Sequence, residues 1–308
     1  MKKSIVLVCC VFLLWALVSC DEIAQSSNGS FPETNESHLT KQTNYTIYTY
    51  ISAGNDYIDD KPVDGVVFES AEKKNFNLAS KTEIGKPIGT AEKYEFELNG
   101  KLYSFDYDKS YETAIAASDG LKTYSLFNRY KNDDTRIDIR TDTNDVLFFA
   151  NSNNDVETAK GNLNEVEAKV VADSTLLSLY GESAVQEYAY ETAVFTDTKL
   201  ETHYTVVYRK FVWDIPTNDA IQITVNMHGD VIGIHAKNLG IFSSAEMQVS
   251  SEELQNAISV IKEKYSEKWI IGAMQLVLDS EGDYYIYAQL SRTVAEETEA
   301  VEVYVNVQ

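Results

Sequence analysis

Through most of the chain beyond Tyr45, apolar and polar side chains alternate one by one, the period of a half-buried β-strand. The run YTIYTYIS opens the pattern at Tyr45. Val66-Val67-Phe68 reads as another short strand, in a stretch (53–90) that otherwise gives little period. Tyr94 to Leu98 and Lys101 to Tyr107 flank Asn99-Gly100, a dipeptide suited to the two positive φ angles of a type I′ hairpin turn. Tyr111 to Ala117 reads as a short helix.

Two segments switch to a helical period. Asn164 with Glu167 three residues on spells a capping box, in which each side chain accepts from the other's backbone N–H. An apolar stripe follows as Leu163, Val166, Val170, Leu177 and Tyr180, and Gly181 stands where a helix C′ residue belongs. Ser250 and Glu253 repeat the device ahead of Leu254, Ala257, Ile258, Ile261 and Tyr265, a near-continuous i, i+3, i+4 face. Both helices open on acidic residues, which suit the positive end of the helix dipole.

The strands also echo one another. Ile137 to Phe149 reads IDIRTDTNDVLFF, Ile221 to Ile234 reads IQITVNMHGDVIGI, and Val301 to Val307 reads VEVYVNV. Aliphatics recur two apart in each, and the first two turn on Asn144-Asp145 or Gly229-Asp230 into a strand that begins with Val. A strand pair lies between each helix and the next echo: Val185 to Phe195 with Tyr204 to Phe211, then Ile270 to Leu278 with Tyr284 to Leu290. The order helix, strand, strand, strand thus occurs twice, at about 163–236 and about 249–308. One-sided helices among alternating strands predict an α+β fold of antiparallel sheets, each covered on one face by a helix.

These units resemble the PepSY domain of secreted bacterial proteins. Units of that family open with a Ser-x-Glu-Glu-like cap, matched by Ser250-Ser251-Glu252-Glu253, and end on a strand like Val-Asp-x-x-x-Gly-x-Val. The matching residues are Val225-Asn226 with Gly229 and Val231, and Val305-Asn306. The strand Asp is replaced by Asn at 226 and 306, and the turn Gly by Asn144 in the first echo, where Asn tolerates the left-handed region. The last unit stops at its final strand, and the first echo would close a degenerate unit within 89–150. The resemblance covers somewhat over half the chain. It implies inhibitory, chaperone-like or regulatory modules at the cell envelope, often attached to or acting on peptidases. It brings no set of catalytic residues.

The N-terminus supplies an address. Met1-Lys2-Lys3-Ser4 is followed by fourteen uncharged, apolar residues, Ile5 to Val18. A membrane-spanning helix needs about 20 apolar residues, so this run has the length of a signal-peptide core. Leu17-Val18-Ser19-Cys20 resembles the lipobox of bacterial lipoproteins, in which the Cys thiol receives a diacylglyceryl group and the preceding peptide is removed. Two acyl chains give stable anchoring where one gives marginal binding. Cys20 is the expected lipid-attachment residue and mature N-terminus. Cys9 and Cys10 leave with the leader, so the folded part keeps no thiol for a disulfide, a nucleophile or a metal. Residues 20–44 are polar, rich in Ser, Asn and Thr, and read as a flexible tether. The Asn-x-Ser/Thr triplets at Asn28, Asn35 and Asn44 are more simply linker than glycosylation acceptors.

Charge narrows the partners. With 26 Lys+Arg against 48 Asp+Glu in 308 residues, the formal net charge is −22, which disfavours nucleic acid. A hydrophobic fraction of 44% fits a globular chain with a substantial core.

Catalytic and metal chemistry find little purchase. His38 falls in the tether, His203 at a strand start, and His228 and His235 at opposite ends of one strand, over about 20 Å apart at 3.3 Å per residue. Around Asp133, Asp134, Asp138, Asp142 and Asp145, and likewise around Asp279, Glu281 and Asp283, the EF-hand pattern of oxygens at alternating loop positions, a mid-loop Gly and a closing Glu is absent. No Gly-x-Ser-x-Gly, His-Glu-x-x-His, Ser-x-x-Lys or glycine-rich phosphate loop is present. With Trp213 and Trp269, the 20 Tyr could form a platform for peptide or glycan, though rings turned inward with wet hydroxyls explain them more simply.

The organisation expected is a signal peptide (1–19), a tether (20–44), an N-terminal β-rich domain with a degenerate repeat (45–150), and PepSY-like units at 151–240 and 241–308. The function expected is non-catalytic and lipid-anchored on the extracytoplasmic face of a bacterial membrane. It would act by contact with an envelope protein such as a peptidase, offering sheet edges to a partner strand. No catalytic residue, metal ligand, cofactor or nucleic-acid partner is expected. The rivals are a peptide- or glycan-binding lipoprotein and an envelope hydrolase with a dispersed site.

Overall fold

The computed structural model describes residues 45–51, 66–70, 80–117, 120–152, 161–198, 202–242, 249–279, 281–294 and 297–307. Cys20, the leader, the tether and His38 lie outside them. Eight strands come first: β1 (Tyr45–Ile51), β2 (Val66–Ser70), β3 (Ser80–Ile84), β4 (Lys93–Leu98), β5 (Lys101–Ala117), β6 (Gly120–Lys131), β7 (Thr135–Arg140) and β8 (Val146–Asn151). Helix α1 (Glu165–Glu187) leads into β9 (Tyr188–Asp197), β10 (Thr202–Val212), β11 (Ile215–Asn226) and β12 (Val231–Lys237). Helix α2 (Ser251–Tyr265) leads into β13 (Ile270–Leu278), β14 (Tyr284–Val294) and β15 (Glu297–Asn306).

The fold class differs from expectation. The strands do not form separate antiparallel sheets, each under its own helix, but one 15-stranded mixed sheet with two helices among the described residues. Its main path runs β2-β1-β15-β14-β13-β11-β12-β8-β7-β6-β5-β3, with β10 and then β9 branching from β11 and β4 pairing β5. Two contacts are parallel: β1 with β2, and β11 with β13 through Thr217 and Leu276. The physical cause is the length of β11. Its later residues, Ala220 to Val225, pair β12, while its early residue Thr217 still has a free edge for β13. At the other end β15 pairs β14 and also accepts β1. Alternation within a strand says which side chains are buried, not which strands are neighbours.

Two packed cores lie along this sheet. One gathers Phe105, Ile137, Phe149, Ile221, Ile223 and Ile234 beneath Ala168, Ala172 and Leu176 of α1. The other gathers Ile286, Leu290, Val303 and Val305 beneath Leu254, Ile258 and Ile261 of α2. Each large aliphatic buried this way contributes about 1.5–3 kcal/mol relative to exposure.

Local signals account for many of the turns. Asn99 and Gly100 take φ of 51° and 79°, as a type I′ turn requires, and join β4 to β5. The 111–117 segment is not a helix but the second half of β5, paired on one edge by β3 and on the other by β6. The stack of Tyr111 on Phe127 (5.2 Å) and the Ser110–Asn128 hydrogen bond (2.7 Å) fix that strand from the side. Cross-strand packing here overrides local preference.

Both capping boxes form: Asn164 with Glu167 and Ser250 with Glu253. The faces behind them behave differently. Every residue of the α2 stripe is buried. The α1 stripe is mostly turned outward, with Val166, Val170 and Leu177 72%, 63% and 48% exposed. The face of α1 that meets the sheet is instead Ala168, Ala172, Thr175, Leu176 and Ala184. Gly181 does not end the element but breaks its path, at φ 78° and ψ −177°, a glycine-only conformation, before a last helical turn to Glu187.

Candidate functional site

Elements α1, β9 and β10 form a surface unlike the rest of the molecule. Eight of the twelve large apolar side chains exposed among the described residues lie between Glu165 and Trp213. Val166, Val170, Leu177 and Val185 come from α1, Tyr190 and Phe195 from β9, and Phe211 and Trp213 from the tip of the β10–β11 hairpin. Trp213 and Asp214 both take positive φ (45° and 63°), which makes that tip a tight turn with the indole outside.

Strand β9 is also an edge. Among the described residues it pairs β10 and no other strand. Its sequence, YAYETAVFTD, contains neither Lys nor Pro, the residues that commonly blunt an edge against a further strand. A bulge opposite Val207 and Tyr208 is its one irregularity. Phe195 packs against Tyr204 (4.9 Å) and leaves the remainder of its ring exposed. Tyr190 donates to Glu165 (3.1 Å), and Lys169 lies 5.1 Å from its ring, so the start of α1 and the start of β9 form one continuous patch.

Behind the patch is a buried polar seam. Asp219 is fully buried and accepts from Tyr188 Oη (2.8 Å) and from the Gly240 N–H (3.0 Å). Burial raises its carboxyl to about 7, against the lowering pull of the Tyr188 hydrogen bond and the Lys210 charge. Arg209 grips Glu191 with Nε and Nη2 (both 2.7 Å) and donates Nη1 to the Thr217 carbonyl (2.6 Å). Tyr208 donates to Asp173 of α1 (2.7 Å), and burial followed by that carboxylate pushes its hydroxyl upward. Each group therefore holds β9, β10 or α1 in place, and the seam stiffens the surface in front of it.

The polar candidates from the sequence are dispersed. His203 is buried in β10, His228 is in the β11–β12 turn, and His235 meets the Phe148 ring edge-on at 6.0 Å. Asp138 is buried and bound by Arg129, whereas Asp133, Asp134, Asp142 and Asp145 sit in or beside hairpin turns. Asp279, Glu281 and Asp283 do converge, with carboxylate oxygens within 4.8 Å of one another. Asp279, however, accepts from the Glu281 and Asp283 N–H groups (2.8 and 3.0 Å) and from Tyr285 Oη (3.0 Å). It serves as the internal cap of its own loop. Asn226 does the same in the β11–β12 turn, accepting from the His228 and Asp230 N–H groups (3.0 and 2.9 Å).

The tyrosines are mostly structural. Tyr188, Tyr208 and Tyr285 are buried and each donates to an Asp. Trp269 is buried under the Arg292 guanidinium (4.3 Å) and Trp213 is exposed at a turn, so the two indoles have separate settings. Sequence reasoning missed the outer stripe of α1 because it assigned those valines inward. The missing signal is the second stripe, Ala168, Ala172 and Leu176 at i, i+4 and i+8, which makes α1 apolar on two sides.

No helix among the described residues is long and apolar enough to cross a membrane. No family model matches the sequence, and no curated protein matches it. Among solved structures, the C-terminal domain of Bacillus megaterium YpeB is similar with a TM-score of 0.33 and 13% identity, over 75% of this chain and 91% of that one. The Pseudomonas aeruginosa MucA/MucB complex gives a TM-score of 0.12 and 9% identity, over 70% of this chain and 87% of that one. Likenesses this slight carry no argument about fold or function.

Proposed function

We propose that this chain is a non-catalytic, lipid-anchored protein of the bacterial cell envelope that works by capturing a partner protein on the surface of α1 and β9. The anchor is the diacylglyceryl group expected on Cys20, read from the leader and lipobox-like sequence. The partner class is an envelope protein such as a peptidase, which this chain would restrain or regulate, as the PepSY resemblance implies. The single observation that carries the reading is the concentration of exposed apolar side chains on one helix–strand unit beside a strand edge that no other described strand pairs. Exposed apolar area gathered in one place marks an interaction surface. An edge strand adds main-chain hydrogen bonds to any extended segment laid against it. The partner therefore contributes a strand to β9 and apolar side chains to the valine stripe.

The test is capture from detergent-solubilised membranes with the full lipidated chain. One stoichiometric envelope protein should be recovered with the unaltered protein and lost with the double variant Val166→Glu, Val170→Glu. Both valines are exposed, so the variant should keep its circular-dichroism spectrum and melting temperature. Recovery of the same protein by the double variant, or of polysaccharide alone, would sink the reading.

A further inference from the structure

The chain has five Arg in 308 residues, and four of them (Arg129, Arg136, Arg140 and Arg209) share the face of the sheet turned away from α1. Their placement follows from alternation. Tyr130 in β6, Ile137 and Ile139 in β7, and Tyr208 in β10 point into the α1 core, so the residues between them point the other way. By the same rule, Ile234 and Ala236 of β12 send His235 and Lys237 to the open face.

Cations and rings interleave there. Lys81 Nζ lies 4.4 Å from the Tyr111 ring and 4.8 Å from the Phe127 ring. The Arg129 guanidinium lies 4.7 Å from Tyr111, and that of Arg136 lies 4.1 Å from Phe148, whose other neighbour is His235. Asp138 is the one buried carboxylate in the band. It takes both forks of Arg129 (2.8 and 2.9 Å) and the edge of Arg136 (3.3 Å), so two guanidinium groups share one negative charge. Lys81 and Lys237 make no ion pair with a carboxylate among the described residues, in a chain that carries 48 acids. Burial first, and then neighbouring positive charges, hold His235 and Lys237 below their ordinary values, and burial lowers Lys81 against the pull of the Asp138 carboxylate, with Arg129 and Arg136 adding to the lowering. The band crosses from β3 through β5, β6, β7 and β8 to β12, five strand spacings or about 24 Å.

Its flanks are neutral. Lys109 with Glu83, Lys131 with Asp108, Arg140 with Asp142 and Arg209 with Glu191 are all paired. A planar anionic surface would meet those flanking carboxylates, whereas a chain one polymer wide meets the band alone. An acidic polypeptide would also need main-chain partners. The β5, β6, β7, β8 and β12 backbones have spent theirs on ladders at both edges. A phosphodiester polymer has no amides to satisfy. Its charges suit Lys and Arg, and the C–H faces of its spacers suit the interleaved rings.

We propose that this band binds a linear polyanion in which phosphates alternate with polyol units. It is a second surface, on the opposite side of the sheet from α1, and it does not depend on the partner-capture reading.

The test is fluorescence anisotropy of a labelled synthetic glycerol-phosphate decamer titrated with the purified full chain in detergent. Binding is expected, weakening roughly tenfold to twentyfold between 50 and 200 mM salt, as release of counterions from about three contacts requires. The variant Lys81→Gln, Arg136→Gln, Lys237→Gln should bind at least tenfold more weakly. Lys101→Gln, Lys262→Gln, Lys268→Gln removes the same formal charge from exposed positions elsewhere and should leave affinity unchanged. Poly-L-glutamate and phosphatidylglycerol vesicles are the competing probes. Equal or tighter binding of either, equal loss in both triple variants, or no binding of the decamer at 50 mM salt overturns the proposal.

Discussion

The two helices open on the same device and then part company. Both begin at a capping box, both present acidic residues to the helix dipole, and both pack on the sheet strands that follow them. Helix α2 buries its apolar stripe completely and has none of the exposed large apolar side chains. Helix α1 meets the sheet mostly through alanines, turns its valines to solvent, and is broken at Gly181. One helix is there to close a core. The other closes a core with its small residues and leaves its larger ones exposed. The difference teaches that a shared order of elements does not fix a shared role, because the role is set by which stripe faces outward.

The sharpest way to break this comparison is to truncate the two stripes. Leu254→Ala removes a fully buried side chain from α2 and should destabilise the protein by about 2–5 kcal/mol in urea titration. Val170→Ala, in the stripe that the sequence equates with it, should change stability by less than about 0.5 kcal/mol. Comparable losses at the two sites would show that α1 is buried as the sequence pattern reads.

The buried carboxylates sharpen it next. Asp219, in the α1 half, and Asp279, in the α2 half, are both fully buried and both accept from a tyrosine. Asp279 has two backbone N–H donors and Asp219 has one. Burial raises Asp219 from 3.8 to about 7. A carboxyl whose folded value lies above its unfolded value keeps its proton in the native state while the unfolded chain has lost it. Stability is then highest below about pH 4, falls as pH rises to about 7, and stays level above. Between pH 5 and pH 8 the loss attributable to Asp219 is about 2–3 kcal/mol. Urea titrations at these two pH values should show the unaltered protein losing that much more than Asp219→Asn. Parallel losses would remove the case for a titrating Asp219.

How much of this was legible in the sequence depends on how local each signal is. The Asn99-Gly100 turn, both capping boxes and the α2 stripe could be read, because each is decided by residues within one or two turns of one another. The fold class could not. The pairing of β11 with β13 rests on a single parallel contact, and that of β1 with β15 joins the two ends of the described chain. Alternation gives every strand the same signature whichever neighbour it takes. The 111–117 strand was lost for a related reason: Phe127 and Asn128, which hold it, belong to another strand. On the outer face of α1, the identity of the exposed residues was in the sequence but their direction was not. Helix α1 offers two apolar stripes, and the sheet accepts the one made of smaller side chains, which lets the backbones approach. The cation band was invisible for the same reason as the sheet order, since its members come from β3, β6, β7 and β12.

The break in α1 gives a smaller effect. Gly181 holds a conformation that only glycine adopts readily, with open space where a Cβ would go. Gly181→Ala should therefore cost about 1–3 kcal/mol through backbone strain alone. A neutral result would mean that the chain can run α1 straight through this position, as it runs α2.

The caps carry the smallest expected effect and isolate what the helices share. Asn164 Oδ1 accepts from the Glu167 N–H (3.0 Å) while Glu167 accepts from the Asn164 N–H (3.0 Å). Ser250 Oγ accepts from the Glu253 N–H (3.3 Å) while Glu253 accepts from the Ser250 N–H (2.6 Å). Both cap residues are solvent-exposed, so each substitution removes one side-chain acceptor from a helix end that water can still reach. Asn164→Ala and Ser250→Ala should then cost about 1 kcal/mol each, and nearly the same amount, although the faces behind the caps differ. Thermal melts of the two variants measure the difference directly. A cost several times larger at Ser250 would mean that the α2 cap is coupled to the packing of its stripe. The two helix starts would then differ in kind as their faces do.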